Sequence, residues 1–231
     1  MKTTFFSSMR WSFKELSLLL LLTLVIVPIG IEWVLQNFLQ QLFQNSLYAG
    51  TMTGFVMAVV FTLGVYVIAL RPHQLSWHAV GVRRFSQTYW KWIIVWTIVL
   101  IVASLLIVIL MDLFQMSTEN EKTESLTADM NWLTFSIGFI SAAIISPIYE
   151  EIFYRGFLYR WFRVKWGMWA GLLCSSFIFT IVHVPTYNTL PVNFISGLVF
   201  AWTYEKTGSI LPAILIHGTF NGLAVILTAL G

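Results

Sequence analysis

Runs of about twenty apolar residues recur along this chain, and nothing constrains its fold more. At 1.5 Å per residue, a helix of that length is what crosses the hydrocarbon core of a bilayer. Two examples are "LSLLLLLTLVIVPIGI" at 16–31 and "IIVWTIVLIVASLLIVIL" at 93–110. The runs are continuous rather than alternating, which argues against a β-barrel. Charged residues make up only 10% of the 231, against about 25% in soluble domains. The fold class is therefore all-α, a polytopic transmembrane helical bundle.

About seven spans are expected: Leu16–Phe38, Leu47–Leu70, Trp90–Phe114, Asn131–Phe157, Met168–Val184, Leu190–Tyr204 and Ser209–Leu230. The first carries Lys2, Arg10 and Lys14 ahead of it. It is too long for the apolar region of a signal peptide and lacks a small-x-small cleavage pattern, so it reads as an uncleaved span. With a cytoplasmic N-terminus, every one of the 13 Lys and Arg residues except Lys122 falls on the inner side. Lys122 lies in a loop near 116–130 with Glu119, Glu121, Glu124 and Asp129. That alternation supports an N-terminus inside and a C-terminus outside. The net charge of +3 follows from topology and does not point to nucleic acid.

Most polar side chains have ordinary explanations. Glu15 belongs to the first interfacial turn, Glu205–Lys206 to a short cytoplasmic turn, and His73 and His78 to a basic loop. Glu32 and Asp112 fall near outer span ends, and Trp90, Trp92, Trp166 and Trp169 read as interfacial anchors. The single cysteine, Cys174, excludes an internal disulfide framework and a CxxC metal site, leaving a packing role in a helix.

Glu150, Glu151, His183, His217 and Asn221 resist such treatment, because ionisable groups inside spans are costly and default to function. Spacing tests whether they can meet. Gly167 gives a turn signal between the fourth and fifth spans, with Glu150 17 residues before it and His183 16 after it. Both then lie about 25 Å from the turn, at equal depth on neighbouring helices. His217 and Asn221, four apart, share one face of the last span. Glu151 and Arg155 stand in the favourable i,i+4 order for an ion pair. Glu150 projects about 100° away and is left to act elsewhere. Pro147 cannot donate to the Ala143 carbonyl and is expected to kink the helix. The set resembles a polar cavity opening toward the cytoplasm.

A carboxylate, two histidines and an amide donor suit water activation and oxyanion stabilisation, and hence amide hydrolysis. Glu150 would accept a proton from water, and His183 would hold that water or, alternatively, bind a metal. His217 and Asn221 would donate to the oxyanion. No GxSxG pattern supplies a covalent nucleophile.

"EEIFYR" at 150–155, "FTIVH" at 179–183 and "HGTFN" at 217–221 resemble the EExxxR, FxxxH and HxxxN motifs of the CPBP family of CAAX proteases and bacteriocin-processing enzymes. All three occur in family order. The resemblance implies an intramembrane endopeptidase with Glu150 as base, His183 assisting on the water, His217 and Asn221 as oxyanion hole, and Glu151 and Arg155 completing the first motif. It implies a catalytic core at 131–231 in spans four to seven, joined to spans one to three at 1–130 in one membrane domain. Phe179 would pack beside the site.

The family is commonly labelled a metalloprotease, and Glu150, Glu151, His183 and His217 are candidate zinc ligands. HExxH is absent, and a glutamate-activated water needs no metal, so the preferred mechanism requires no cofactor. A proton-coupled transporter and a non-catalytic regulator or immunity protein of the same fold are the competing readings. The expected partners are the lipid bilayer and a membrane-associated peptide or protein, with lipidated, pheromone-like and bacteriocin-like peptides among the candidates. The expected location is a bacterial plasma membrane, where prenylated proteins would be absent.

Overall fold

The computed structural model describes residues 4–6, 9–117, 121–127 and 130–230, with only the backbone given for residues 4 and 121–123. Lys2, Glu119 and Asp129 lie outside the described residues, as do the side chains of Glu121 and Lys122. No strand occurs among the described residues.

Apart from short 3-10 turns, eight helices follow one another among the described residues. Helix α1 spans Phe13–Phe43 and α2 spans Ser46–His73. Helix α3 covers Gln87–Leu113, and α4 is the short Glu121–Thr127. Helix α5 runs Trp132–Trp166, followed by α6 at Met168–Ile181, α7 at Leu190–Thr207 and α8 at Leu211–Leu230. Five of them, α1, α2, α3, α5 and α8, are long and apolar enough to cross a membrane. The expected span at Met168–Val184 is a helix of only 14 residues, and α7 falls outside those five. Helix α6 stops before Pro185, which bars the residue ahead of it from helical geometry.

The boundaries have local causes. Ser12 caps α1 in a capping box with Glu15, and Asn131 caps α5 through the amides of Leu133 and Thr134. Gly167, at φ 91°, makes the turn between α5 and α6, a conformation that side chains with a Cβ rarely adopt. Helix α1 is wound as a wider π-helix over Leu22–Leu35 around Pro28. Helix α5 is π-helical over Ser141–Ile145, just before Pro147, and again over Glu151–Tyr159. The expected break at Pro147 thus takes the form of a change of helical register, a common way to relieve a proline.

The exposed surface matches a lipid environment. Helix α3 buries only Ile93, Thr97, Leu100 and Met111, a narrow stripe whose remaining faces present residues such as Leu105, Leu106 and Ile109 outward. In contrast, all nine residues of Glu151–Tyr159 are buried. The motif-bearing half of α5 is thus the central element, wrapped by α6, α7, the 77–80 turn and the N-terminal peptide. Trp161 donates its indole N–H to the Ser12 carbonyl at 2.9 Å, and Trp11 donates to the Ala69 carbonyl at 2.7 Å. These bonds satisfy amphipathic rings that would otherwise bury an unpaired donor.

Two residues assigned to solvent are instead engaged. Glu205 accepts two hydrogen bonds from Arg163 Nε and Nη2 at 2.9 and 3.0 Å, tying the end of α7 to α5. His73 lies 3.1 Å from the Glu15 carboxylate. Trp90, Trp92, Trp166 and Trp169 are exposed, as interfacial anchors should be. Cys174 is half-buried against the main core.

Candidate active site

The site is built around the imidazole of His217, which α8 presents to the middle of α5. His217 Nδ1 lies 3.0 Å from Glu151 Oε1. That same oxygen accepts from Arg155 Nη1 at 2.8 Å, in the ion pair expected from the i,i+4 spacing. Neither partner of this pair has any exposed side-chain surface. Burying such a pair is tolerable only when further hydrogen bonds complete it. Arg155 Nη2 supplies one, donating to the Gly197 carbonyl of α7 at 3.2 Å.

On the far side of the ring, His217 Nε2 stands 3.8 Å from Glu150 Oε2. The 100° separation of Glu150 and Glu151 therefore does not send them to different places: the two carboxylates face opposite nitrogens of one imidazole. Glu150 is buried, its Oε1 accepts from the Ser146 hydroxyl, and its Oε2 has no hydrogen-bond partner. Glu151 thus fixes the His217 ring so that Nε2 faces Glu150, as carboxylates do for histidines elsewhere.

Aromatic rings hold this chain of polar groups in place. The His217 ring stacks on Phe200 with centroids 4.6 Å apart and planes at 19°. The Arg155 guanidinium lies over Phe179 at 4.4 Å and over Phe200 at 5.0 Å. Phe179 also meets His183 edge-on at 4.9 Å and His217 at 6.1 Å. It is the hub through which His183 joins the assembly. His183 sits just past the end of α6, with Nδ1 2.7 Å from the Phe179 carbonyl. Asn221, one turn beyond His217, donates from Nδ2 to the Ala142 carbonyl of α5 at 3.1 Å.

The polar groups form a buried cluster in which Glu150 Oε2, Glu151 Oε2 and Arg155 Nε have no hydrogen-bond partner. Beside it runs an apolar groove of about 430 Å³, lined by Phe139, Ala143 and Ile148 of α5 and by Gly218, Thr219 and Leu223 of α8. Zinc fits this arrangement poorly. His217 Nδ1 is committed to Glu151. Among the described residues, no three His, Cys, Asp or Glu side chains are grouped so as to hold a metal ion.

Three contributors escaped the sequence reading: Ser146, Gly197 and Phe200. Ser146 had a signal, since it stands four residues before Glu150 and so on the same face. Gly197 and Phe200 had none, because only the rotation of α7 against α5 brings them into contact.

Glu150, His217, Glu151 and Arg155 thus form one buried polar chain inside the helical bundle. Residues 131–223 match the family model described as "Type II CAAX prenyl endopeptidase Rce1-like". Over that segment, the CPBP-family likeness drawn from the three motifs is borne out. Among curated proteins, the chain is similar to the "UPF0177 protein YbdI" of Lactococcus lactis, at 26% identity over 47% of this chain and 57% of that protein. It is also similar to the "Putative membrane peptidase YdiL" of Bacillus subtilis, at 30% identity over 49% of this chain and 46% of the relative. An "Uncharacterized 24.3 kDa protein" of Escherichia coli matches at 33% identity over 32% of this chain and 36% of that protein. The matches thus span between about a third and just over half of these relatives. No solved structure matches.

Proposed function

We propose that the chain is an intramembrane endopeptidase of the CPBP type, hydrolysing a peptide bond in a membrane-associated protein or peptide. The observation that carries this reading is the pairing of Glu150 Oε2, which has no hydrogen-bond partner, with His217 Nε2 at 3.8 Å. Two atoms so spaced can each hydrogen-bond one water at about 2.8 Å. Glu150 accepts a proton as the water oxygen attacks the carbonyl carbon, with His183 helping to hold the water. His217, oriented through Nδ1 by Glu151, presents Nε2 to the developing oxyanion. Collapse of the tetrahedral intermediate breaks the C–N bond, and Glu150 returns its proton to the leaving amine. No step is routed through a metal.

The groove along Ala143, Ile148, Gly218 and Leu223 suits an apolar stretch of substrate arriving from the bilayer. A lipidated, pheromone-like or bacteriocin-like peptide fits that chemistry. The proposed setting is a bacterial plasma membrane, with a cytoplasmic N-terminus and an external C-terminus.

The test is hydrolysis by the full chain in lipid vesicles, read against a library of hydrophobic and lipidated peptides. Glu150→Gln is expected to remain folded and lose at least about 100-fold in rate, the scale of a lost general base. Cleavage by that variant at the parent rate overturns the reading. A non-catalytic regulator or immunity protein of the same fold is the second reading, favoured by the complete enclosure of Glu151 and Arg155. It predicts a cellular phenotype indifferent to Glu150→Gln.

A further inference from the structure

Arginines gather where α1 begins, α2 ends and α5 approaches its end. Arg10 and Trp11 stand just ahead of α1, Leu75 and Ala79 follow the end of α2 at His73, and Arg160 lies in the last two turns of α5. Together with Met9 they line a cavity of about 240 Å³, far more than the ~30 Å³ share of one water. Each of these positions adjoins the terminus of a spanning helix, so the cavity lies at headgroup depth rather than in hydrocarbon.

Among the described residues, the lining includes two arginines and no Asp or Glu. Arg160 is only 9% exposed. Its Nη1 donates to the Ala79 carbonyl, and its Nη2 donates to the Phe5 carbonyl at 3.1 Å. The guanidinium also lies over Phe5 at 4.1 Å and over Trp11 at 5.5 Å. Neutral carbonyls and rings orient a guanidinium without cancelling its charge. A third cation adds to the field, because Arg83 lies over the same Phe5 ring at 4.0 Å. Arg10 is exposed and donates from Nη1 to the His73 carbonyl at 3.3 Å, leaving most of its fork available. Glu15, the acid closest to it in sequence, is taken up by the Ser12 amide and hydroxyl at 2.6 Å and by His73 at 3.1 Å.

We propose that this cavity binds an anionic phosphate group, with Arg10 and Arg160 as its two forks and the Trp11 ring beside them. A planar guanidinium matches phosphate oxygens in pairs, and basic pockets between spanning helices at headgroup depth are where lipid phosphates settle. The proposed cytoplasmic N-terminus sets the cavity against the leaflet richer in anionic lipid. A phosphate there offsets the clustered cations and ties the 9–11 peptide, the 75–79 turn and the end of α5 together. Arg160 follows Arg155 by five residues, so the bound group anchors the helix that carries "EEIFYR". The phosphate can come from a lipid headgroup or from solution.

The experiment is thermal unfolding of the full chain in maltoside micelles, with phosphatidylglycerol, phosphatidylcholine or inorganic phosphate added at constant ionic strength. Phosphatidylglycerol is expected to raise the Tm of the parent by at least about 3 °C, as a ligand held by the folded state alone does. Phosphatidylcholine, whose choline offsets its phosphate, is expected to give less than half that shift. Arg10→Gln, at an exposed position, is expected to fold and to lose at least half of the protection. Arg84→Gln removes the same charge from another exposed position and is expected to keep all of it.

Protection by phosphatidylglycerol and none by inorganic phosphate assigns the cavity to a lipid headgroup. Protection by inorganic phosphate that R10Q loses assigns it to free phosphate or its soluble esters. Equal protection by the two lipids overturns the proposal, since chain burial rather than charge would then be responsible. Equal protection of the parent and R10Q overturns it too, as does the absence of a shift with either phosphate source. None of these measurements involves hydrolysis, so their outcome is independent of the peptidase reading.

Discussion

Arg155→Met removes the cation that accompanies Glu151 in the centre of the bundle and keeps most of the side-chain volume. Both members of the pair have no exposed side-chain surface, so solvent does not soften the loss. Removing one partner of a buried pair costs about 3–5 kcal/mol, because the remaining charge is left uncompensated. The guanidinium also lies over Phe179 and Phe200 at 4.4 and 5.0 Å, contacts worth about 0.5–1 kcal/mol each. At about 2–4 °C per kcal/mol for a chain of this size, the melting temperature should fall by roughly 10–20 °C. Thermal unfolding followed by intrinsic fluorescence is a suitable assay, given 11 tryptophans. The double variant R155M/E151Q isolates the cause. It discharges the stranded carboxylate but leaves an amide able to meet His217, so at least about half the lost stability should return. A single variant melting within about 3 °C of the parent, or a double variant no better than the single one, would refute the assignment of an uncompensated buried charge.

Other outcomes follow from the same geometry. Gly218→Ala pushes a methyl against the Ala143 carbonyl oxygen; the overpacking should cost about 1–3 kcal/mol in unfolding measurements and lower hydrolysis by displacing His217. Ser146→Ala removes the hydroxyl bonded to Glu150 Oε1. Hydrogen bonds to charged groups are worth about 1.5–3 kcal/mol, so kcat should fall about 10- to 100-fold with little change in KM. Ser146→Thr, which keeps the hydroxyl, should recover most of that loss, and a threonine variant as slow as the alanine one would argue against an orienting role.

Spacing within one helix was legible from residues alone, and the reason is geometric. The Glu151–Arg155 pair, the shared face of His217 and Asn221, the Gly167 turn and the break at Pro147 all depend on periodicity within a single segment or on backbone chemistry. Distances between helices were not. Counting from Gly167 placed Glu150 and His183 at one depth, but depth leaves each helix free to rotate. That rotation decides that both carboxylates meet His217 and that His183 enters by way of the Phe179 ring. It also decides that Phe200 lies beneath His217. Nor do the residues by themselves reveal that Asn221 donates to the Ala142 carbonyl, 79 positions away.

The complete burial of Glu151–Tyr159 has a consequence for biogenesis. A charged side chain at the centre of a bilayer costs about 2.5–3.5 kcal/mol even by the milder insertion scales. This segment carries Glu151 and Arg155 together, buried inside the bundle, with Glu150 just before them. The helices that contribute Gly197, Phe200 and His217 leave the ribosome later. This charged turn therefore emerges before the groups that shelter it exist. Until α7 and α8 arrive, the C-terminal half of α5 is better off at the interface or beside the insertion machinery than in lipid. The same charges that serve the site make the central helix the last to settle.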